Sequence, residues 1–223
     1  MSVKENLLKV KADVPEGVEL VAISKYHPIE SLQEAYDAGQ RIFGESHVQE
    51  LVGKEQVLPK DIVWHFIGHL QTNKVKYIAP FISLIHAVDT MKLLKEIDKQ
   101  AAKAGRTIKC LLQMHIAQEE TKFGFAPDEL KLMLDAGEWK EMKNVQIAGL
   151  MCMATNTDDD EQIKSEFHYA RSIFDEVKAK YFADDDDFKE LSMGMSGDYL
   201  LAIEEGSTMV RVGSKIFGNR IYN

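Results

Sequence analysis

Eight apolar runs alternate along the chain with segments in which apolar and polar residues are mixed. The runs are rich in Val, Ile and Leu, and they lie at residues 18–24, 41–46, 62–70, 83–89, 108–116, 145–154, 190–195 and 208–218. A short, continuous apolar run is typical of a strand that is buried on both faces, as strands are in a parallel sheet. The pattern therefore predicts eight buried strands.

The segments between these runs repeat apolar residues three and four positions apart, which places them on one face of a helix. The clearest examples are residues 29–39, 90–105 and 161–182. In the longest of them the apolar face consists of Ile163, Phe167, Ala170, Phe174 and Val177. Several helices are predicted to end at a glycine, which adopts the left-handed C-cap conformation at no steric cost. These glycines are Gly39, Gly105, Gly137 and Gly206.

Strand–helix alternation predicts a parallel sheet in which about seven helices connect eight strands. Eight such units in 223 residues fit a compact (β/α)8 TIM barrel. A doubly wound open sheet is the alternative. Because no linker or change of composition divides the chain, we expect a single domain over residues 1–223. Residues 1–17 then form a short N-terminal segment before the first strand.

Composition and charge narrow the class of protein further. The formal net charge of −9 argues against nucleic acid or an anionic membrane as the main partner. The N-terminus lacks the apolar core of a signal peptide, and no run approaches the roughly 20 apolar residues of a membrane span. Cys110 and Cys152 form no CxxC pair and lie in separate apolar runs, which suits buried free thiols in a reducing compartment. We therefore expect a cytoplasmic protein.

The first apolar run ends in Ser24 and Lys25, although lysine is rarely buried in proteins. In a (β/α)8 barrel the carboxyl ends of the strands form the functional face, so Lys25 is expected on that face. If apolar neighbours desolvate its amine, the pKa falls and the amine can attack a carbonyl carbon. The alternative is a lysine whose charged end simply extends into solvent.

Glycine and serine follow the last two predicted strands, at Ser196 and at Gly213–Ser214. Exposed N–H groups beside a hydroxyl bind phosphate, although such pairs are also common in ordinary turns. Barrels often place a phosphate site after strands seven and eight. An amine facing a phosphate site indicates a ligand with an aldehyde and a phosphate, such as pyridoxal 5′-phosphate (PLP). Arg211 would then face the ring nitrogen and disfavour its protonation.

Two other groups of residues at strand ends have simpler interpretations. His65 and His69 lie four residues apart, but they fall in a strand and lack the glutamate of the HExxH zinc motif. A zinc site is therefore the weaker interpretation of this pair. The methionines at strand ends are interpreted as packing residues, and they are Met151, Met153, Met193 and Met195.

Seven segments of the sequence, in order, resemble the pyridoxal phosphate homeostasis proteins, a family similar to the barrel domain of alanine racemase. The segments read AISKYHP, RIFGESHVQE, WHFIGHLQTNK, EETKFG, GLM, LSMGMSGD and STMVRVGSKIFG. They span nearly the whole chain, and seven motifs in register make the match specific. The resemblance implies a (β/α)8 barrel of the alanine racemase type that holds PLP as a Schiff base on the lysine of an SK-x-x-P motif, here Lys25.

The same resemblance implies roles for further residues. It implies phosphate ligands at Ser196, Gly213 and Ser214, a partner of the pyridine nitrogen at Arg211, and packing residues beside the cofactor at Met151 and Met195. Three positions depart from the family pattern. Ser46, near the ring, stands where many relatives have asparagine, His69 replaces a common proline, and His115 replaces a common asparagine. Because the first predicted strand begins near residue 18, we expect an N-terminal helix that is shorter than is usual in the family.

Two functions of different classes are compatible with PLP on Lys25. A racemase needs a base on each face of the cofactor, and in the alanine racemases that the chain resembles the second base is a tyrosine of a further domain. The sequence ends at Asn223, so we expect no such domain, and nothing singles out Tyr26 or Tyr199 as a substitute. We therefore expect a non-catalytic PLP carrier that holds, buffers or delivers the cofactor. A racemase-like enzyme is the alternative. Apo forms of PLP enzymes are candidate partners, and a monomer is expected.

Overall fold

Eight parallel strands close into a barrel in the computed structural model, which describes residues 2–119 and 123–219. The strands are β1 Glu19–Ile23, β2 Ile42–Glu45, β3 Val63–Phe66, β4 Leu84–Val88, β5 Ile108–Gln113, β6 Val145–Met151, β7 Glu190–Met195 and β8 Met209–Val212. They follow chain order around the barrel, and β8 pairs with β1, with Val21 opposite Arg211. This closure confirms the predicted (β/α)8 barrel and rules out the open sheet.

Helices lie between the strands and at both ends of the described chain. They are α1 Val3–Asp13, α2 Ile29–Asp37, α3 Val48–Val57, α4 Val75–Ile78, α5 Met91–Lys103, α6 Pro127–Ala136, α7 Asp160–Tyr181, α8 Tyr199–Glu204 and α9 Ser214–Phe217. Short 3-10 turns occupy Thr72–Lys74 and Glu138–Glu141. Within the described ranges, seven helices connect consecutive strands, as the periodicity predicts. The glycines predicted to end helices all have left-handed φ angles.

The barrel has two apolar layers because side chains of a strand alternate between its two faces. Outward residues such as Leu20 and Phe43 pack beneath the helices, while inward residues such as Val21 and Ile23 form a separate cluster inside the barrel. The predicted apolar face of α7 is buried in the outer layer. Burying each large apolar side chain stabilises the fold by about 1.5–3 kcal/mol.

The segment before β1 contains the helix α1. Its N-terminus carries a capping box, in which Ser2 Oγ accepts from Glu5 N–H and Ser2 N–H donates to Glu5 Oε2. Such a box satisfies two N–H groups that a helix start leaves unpaired. From α1, the Asn6 side chain donates to Ile216 O in α9 at 3.1 Å. The N-terminal helix therefore supports the short helix that begins at Ser214, on the functional face of the barrel.

Acidic side chains lie at the surface of the loops around α7. Asp159 accepts hydrogen bonds from two N–H groups of the first turn of α7 and caps it. In the turn before β7, Asp184, Asp186 and Asp187 are exposed. None of the helices in the described ranges combines the length and the apolar character that a membrane span needs.

Candidate functional site

One cavity of about 330 Å³ opens at the carboxyl ends of the barrel strands. The residues proposed from the sequence as its ligand-binding set all line it: Lys25, Ser46, Met195, Ser196, Arg211, Gly213 and Ser214. They come from four strand ends, after β1, after β2, at β7 and at β8. Closure of the barrel brings these ends together around one opening, which is the usual position of functional sites in this architecture.

Lys25 reaches the cavity because of the alternation of strand β1. Val21 and Ile23 belong to the cluster inside the barrel, so the intervening side chains point outward and Lys25 points inward again. The lysine is half-buried rather than enclosed. The next residue, Tyr26, has a φ of +65° and turns the chain away from the barrel axis. The apolar run therefore ends in a lysine at the rim of the cavity.

The loops after β7 and β8 are joined next to the end of β1. Ser196 Oγ accepts a hydrogen bond from Gly213 N–H at 3.0 Å. A Cβ on Gly213 would lie 3.1 Å from Ile23 O and 3.3 Å from Ile23 Cβ. A side chain at residue 213 would therefore be crowded against the end of β1. Because β8 pairs with β1, the Gly–Ser turn and Lys25 lie on neighbouring strand ends.

Arg211 is buried beneath the cavity and lines its floor. Its guanidinium donates to Ser192 Oγ at 2.6 Å and to Cys152 O at 3.0 Å. Both acceptors are neutral, and no carboxylate in the described part of the chain forms an ion pair with Arg211. Burial lowers the pKa of Arg211, but arginine stays protonated in proteins. The floor of the cavity therefore carries a positive charge without an ion-pair partner among the described residues.

Two buried histidines continue the chain of hydrogen bonds behind Arg211. His86 Nδ1 lies 3.0 Å from Ser192 Oγ, and His86 Nε2 lies 3.0 Å from His65 Nδ1. Since Arg211 can only donate to Ser192 Oγ, we assign the hydroxyl proton to the bond with His86 Nδ1. Burial lowers the pKa of His65 to about 3. Burial also holds the pKa of His86 well below its usual value, as do the neighbouring His65 and Arg211. The network is therefore neutral and leaves the charge of Arg211 uncancelled.

Ser46 lines the cavity after β2, beside the loop that follows β3. Its Oγ lies 3.2 Å from His47 Nδ1, and a Cβ on Gly68 would lie 2.5 Å from Ser46 O. The two loops are therefore in direct contact, and this contact requires glycine at residue 68. Two methionines also line the cavity: Met151, which is buried, and Met195, which is exposed.

The two histidines that depart from the family pattern lie outside the cavity lining. His69 Nδ1 lies 3.0 Å from Asp89 Oδ2, and its ring stacks on Phe123 at 4.2 Å. His115 Nε2 lies 2.9 Å from Glu119 O. Residues 120–122, the centre of the EETKFG segment, lie outside the described residues. Within the described ranges no three His, Cys, Asp or Glu residues form a group able to hold a metal.

Sequence reasoning assigned no ligand role to several residues that line the cavity: Ile23, His27, Ile67, Gly68, Met153, Gly197 and Gly218. His27 is buried and stacks on Phe217 with ring centroids 5.1 Å apart. Their position in the sequence could have identified them as lining residues, because most of them lie within a few residues of a strand end. The buried network of His65, His86 and Ser192 had no such signal, because its members lie on three strands far apart in sequence.

Neither candidate tyrosine lines the cavity. Tyr199 is buried, and its hydroxyl donates to Asp13 Oδ2 at 2.8 Å. Burial and this hydrogen bond raise the pKa of Tyr199 to about 12. The Tyr26 hydroxyl lies 3.4 Å from His47 Nε2 at the exposed surface. Neither hydroxyl is therefore placed to act as a base on a ligand bound in the cavity.

Comparison with known proteins gives one consistent family. A model described as alanine racemase, N-terminal domain, matches residues 1–220. The pyridoxal phosphate homeostasis protein of Aquifex aeolicus (strain VF5) is 39% identical over 205 residues, which cover 92% of this chain and 88% of that protein. PipY of Synechococcus elongatus PCC7942, solved without PLP, is 36% identical with a TM-score of 0.90 and covers 97% of this chain and 100% of its own.

A more distant comparison shows the fold alone. Alanine racemase from Streptomyces coelicolor A3(2) has 16% identity and a TM-score of 0.76, and the match covers 97% of this chain and 57% of that enzyme. The resemblance found in the sequence motifs is thus confirmed by the family model and by relatives that match over nearly their whole length. The chain belongs to the alanine racemase N-terminal domain family and, within it, to the pyridoxal phosphate homeostasis proteins.

Proposed function

We propose that the chain binds PLP in this cavity, with the aldehyde carbon bonded to Lys25 Nζ, and that it takes part in intracellular PLP homeostasis. The observation that carries the proposal is the meeting of a lysine, a buried guanidinium and a Gly–Ser turn in one cavity. PipY, whose structure is also solved with PLP bound, supports it as a relative.

The residues that line the cavity fit the three chemical groups of PLP. When bound, the cofactor supplies an aldehyde carbon to which a lysine amine adds with loss of water. Ser196, Gly213 and Ser214 would hold the phosphate through hydroxyl and backbone N–H groups. Arg211 would donate to the ring nitrogen. Because arginine has no acceptor, it would keep that nitrogen unprotonated and weaken the ring as an electron sink.

A carrier fits the site better than a racemase does. Racemisation needs a second base opposite the lysine, and the hydroxyls of Tyr26 and Tyr199 are directed elsewhere. We therefore propose a role in holding, buffering or delivering PLP without turnover of amino acids.

The expected partners and setting form part of the same proposal. Apo forms of PLP-dependent enzymes would receive the cofactor from the open side of the cavity. We propose a single-domain monomer, because the strands close on themselves and leave no sheet edge for pairing. A cytoplasmic location is supported by Cys110 and Cys152, which are buried free thiols whose pKa values burial raises.

Turnover can be tested directly by incubating the PLP-loaded protein with single L-amino acids and following the D-enantiomer by chiral chromatography. We expect no D-enantiomer above the rate given by free PLP, because neither Tyr26 nor Tyr199 lines the cavity. A Lys25→Ala sample is the matched control. Formation of D-amino acid by the parent protein that disappears in this control would contradict the carrier proposal.

Ser214→Ala should weaken PLP retention without changing the absorbance spectrum of the bound cofactor. A hydrogen bond to a charged group contributes about 1.5–3 kcal/mol, so retention should fall about tenfold or more. The hydroxyl would contact the phosphate rather than the ring, so the chromophore is unaffected. Equilibrium dialysis with absorbance detection measures both quantities. Ser172→Ala, at an exposed serine of α7, is the control. A changed spectrum with unchanged retention would contradict this placement.

A further inference from the structure

A second lysine, Lys54, is buried where α3 packs against the barrel. Lys54 lies on the buried face of α3, at a position where the helical spacing calls for an apolar residue. Its Nζ lies 2.8 Å from Glu45 Oε1, 2.7 Å from Glu50 Oε1 and 2.8 Å from Ser24 O. These three acceptors match the three donors of an ammonium group. We refer to Glu45, Glu50 and Lys54 as the buried acid–lysine cluster.

The buried acid–lysine cluster contacts the chain on both sides of Lys25. Before the lysine, Ser24 Oγ donates to Glu45 Oε1 at 2.6 Å, and the Ser24 carbonyl accepts from the ammonium of the cluster. After the lysine, Tyr26 N–H donates to Glu50 Oε1 at 2.7 Å. Residues 24–27, which we call the lysine turn, are therefore fixed to α3 and to the end of β2 at two points.

Tyr26 gives the lysine turn an unusual backbone. Among the described residues it is the non-glycine residue with a positive φ, at +65°. For an L-residue the left-handed conformation is less stable than the right-handed one, by roughly the 1.4 kcal/mol that corresponds to a factor of ten. An unconstrained residue would therefore adopt it about tenfold less often. The turn is closed by a hydrogen bond from His27 N–H to Ser24 O at 3.1 Å. A strained conformation persists only where its surroundings impose it, and Glu50 is positioned to do so.

A contribution to the stability of the fold does not by itself explain the presence of such a cluster. Replacing a buried ion pair by apolar residues of similar volume is often neutral or stabilising. Here Glu45 is fully buried, its Oε2 has no hydrogen-bond partner among the described residues, and burial raises its pKa to about 7. The feature that an apolar replacement would lose is the set of hydrogen bonds to Ser24 and Tyr26.

We propose that the buried acid–lysine cluster holds the lysine turn in its left-handed conformation and thereby directs Lys25 Nζ into the cavity. None of its members lines the cavity, so they are positioning residues. The inference rests on the proposed function in one respect, that Lys25 is the residue bonded to PLP. In that step the amine nitrogen forms a double bond to the aldehyde carbon, and the aldehyde oxygen leaves as water.

The first test compares Glu50→Ala with Glu50→Gln in the full-length protein. Samples freed of PLP are mixed with PLP, quenched with borohydride at intervals, and the label on the Lys25 peptide is quantified. Glu50→Ala should slow labelling about tenfold, because the unheld turn relaxes from the left-handed conformation. Glu50→Gln keeps a carbonyl oxygen that can accept from both donors, so it should remain within about threefold of the parent. Equal rates in all three proteins would overturn the proposal.

A second test uses the backbone of Tyr26 itself. Glycine adopts the left-handed conformation freely, whereas alanine keeps the Cβ that disfavours it. In the Glu50→Ala protein, an added Tyr26→Gly change should restore labelling at least about fivefold relative to an added Tyr26→Ala change. Both changes remove the tyrosine ring, so both variants lose its contact with His47. The variants then differ only in how readily residue 26 adopts the left-handed conformation. Equal labelling with glycine and alanine would contradict a role for this conformation.

A third measurement separates failure of this inference from failure of the proposed function. Amide hydrogen exchange of Tyr26 in the PLP-free protein should be faster in Glu50→Ala and near the parent rate in Glu50→Gln, whatever the ligand is. If the parent traps no PLP on Lys25, the proposed function is wrong, and this exchange rate still decides whether the cluster holds the turn. If Glu50→Ala does not fold, Tyr26→Gly and Tyr26→Ala in the parent provide the comparison. Unchanged exchange in Glu50→Ala would overturn the inference.

Discussion

Replacing Lys25 with alanine should abolish covalent capture of PLP. The loss should appear as disappearance of the visible absorbance of the bound cofactor and of borohydride-trapped label on this peptide. Lys25 is the lysine that lines the cavity among the described residues, and no other group there offers a primary amine. Contacts with the phosphate remain, so weak binding should persist. Retention on gel filtration should fall at least about 100-fold, which corresponds to about 2.7 kcal/mol.

Lys25→Arg is the matched control for this experiment. Arginine keeps the positive charge and much of the length of lysine, but it stays protonated and cannot act as the nucleophile. Lys25→Arg should therefore lose trapped label as completely as Lys25→Ala, while attraction of the phosphate is preserved. Full labelling of Lys25→Ala at another lysine would show that the covalent bond lies elsewhere. An uncoloured parent protein that takes up no PLP would refute cofactor binding altogether.

Acidification from pH 8 to pH 5 should lower the free energy of unfolding through His65 and His86. Burial keeps the folded-state pKa of both rings below the unfolded value near 6.5. Below that value the unfolded chain binds protons that the folded barrel does not, so stability is complete above it and is lost as the pH falls. For His65, whose pKa falls to about 3, the loss by pH 5 is about 2 kcal/mol at 1.36 kcal/mol for each unit.

His65→Asn isolates this effect. The asparagine Oδ1 can take the place of Nδ1 as an acceptor for His86, but the side chain does not titrate. Urea unfolding of the parent and the variant at pH 8 and pH 5 gives the comparison. The parent should lose about 2 kcal/mol more than the variant. Glu45, whose pKa is raised to about 7, acts in the opposite direction between about pH 7 and 4.5, and it contributes equally to both proteins. Identical pH dependence would contradict the neutral assignment of His65.

The two predictions concern different layers of the same barrel. Lys25 belongs to the rim, where a ligand can reach it, and its replacement should leave the fold intact. His65 and His86 lie beneath Arg211, where protonation would place added positive charge beside a buried guanidinium. We therefore expect substitutions of His65 or His86 to change stability in acid, and substitutions of Lys25 to change PLP capture.

Most of the architecture follows from the chain itself. Eight apolar runs and their intervening periodic segments predict the strands and helices, because burial on both faces of a parallel strand leaves little room for polar residues. Alternation along β1 places Lys25 on the functional face, and glycines with serines at Ser196 and Gly213–Ser214 indicate a second part of the cavity lining. These signals are local in sequence, and motif resemblance extends them to the family and its cofactor.

Other features were decided only by the tertiary structure. The hydrogen bond between His86 and Ser192 joins residues 106 positions apart, and no periodicity or motif predicts it. The same holds for the hydrogen bonds of Lys54 with Ser24 and Glu45, which no periodicity or motif predicts. Desolvation and hydrogen bonding depend on what lies within a few ångströms, and closure of the barrel determines those neighbours. The sequence by itself therefore determined the barrel and the position of Lys25 at the end of its first strand, and the tertiary structure decided how Lys25 and the guanidinium of Arg211 are held.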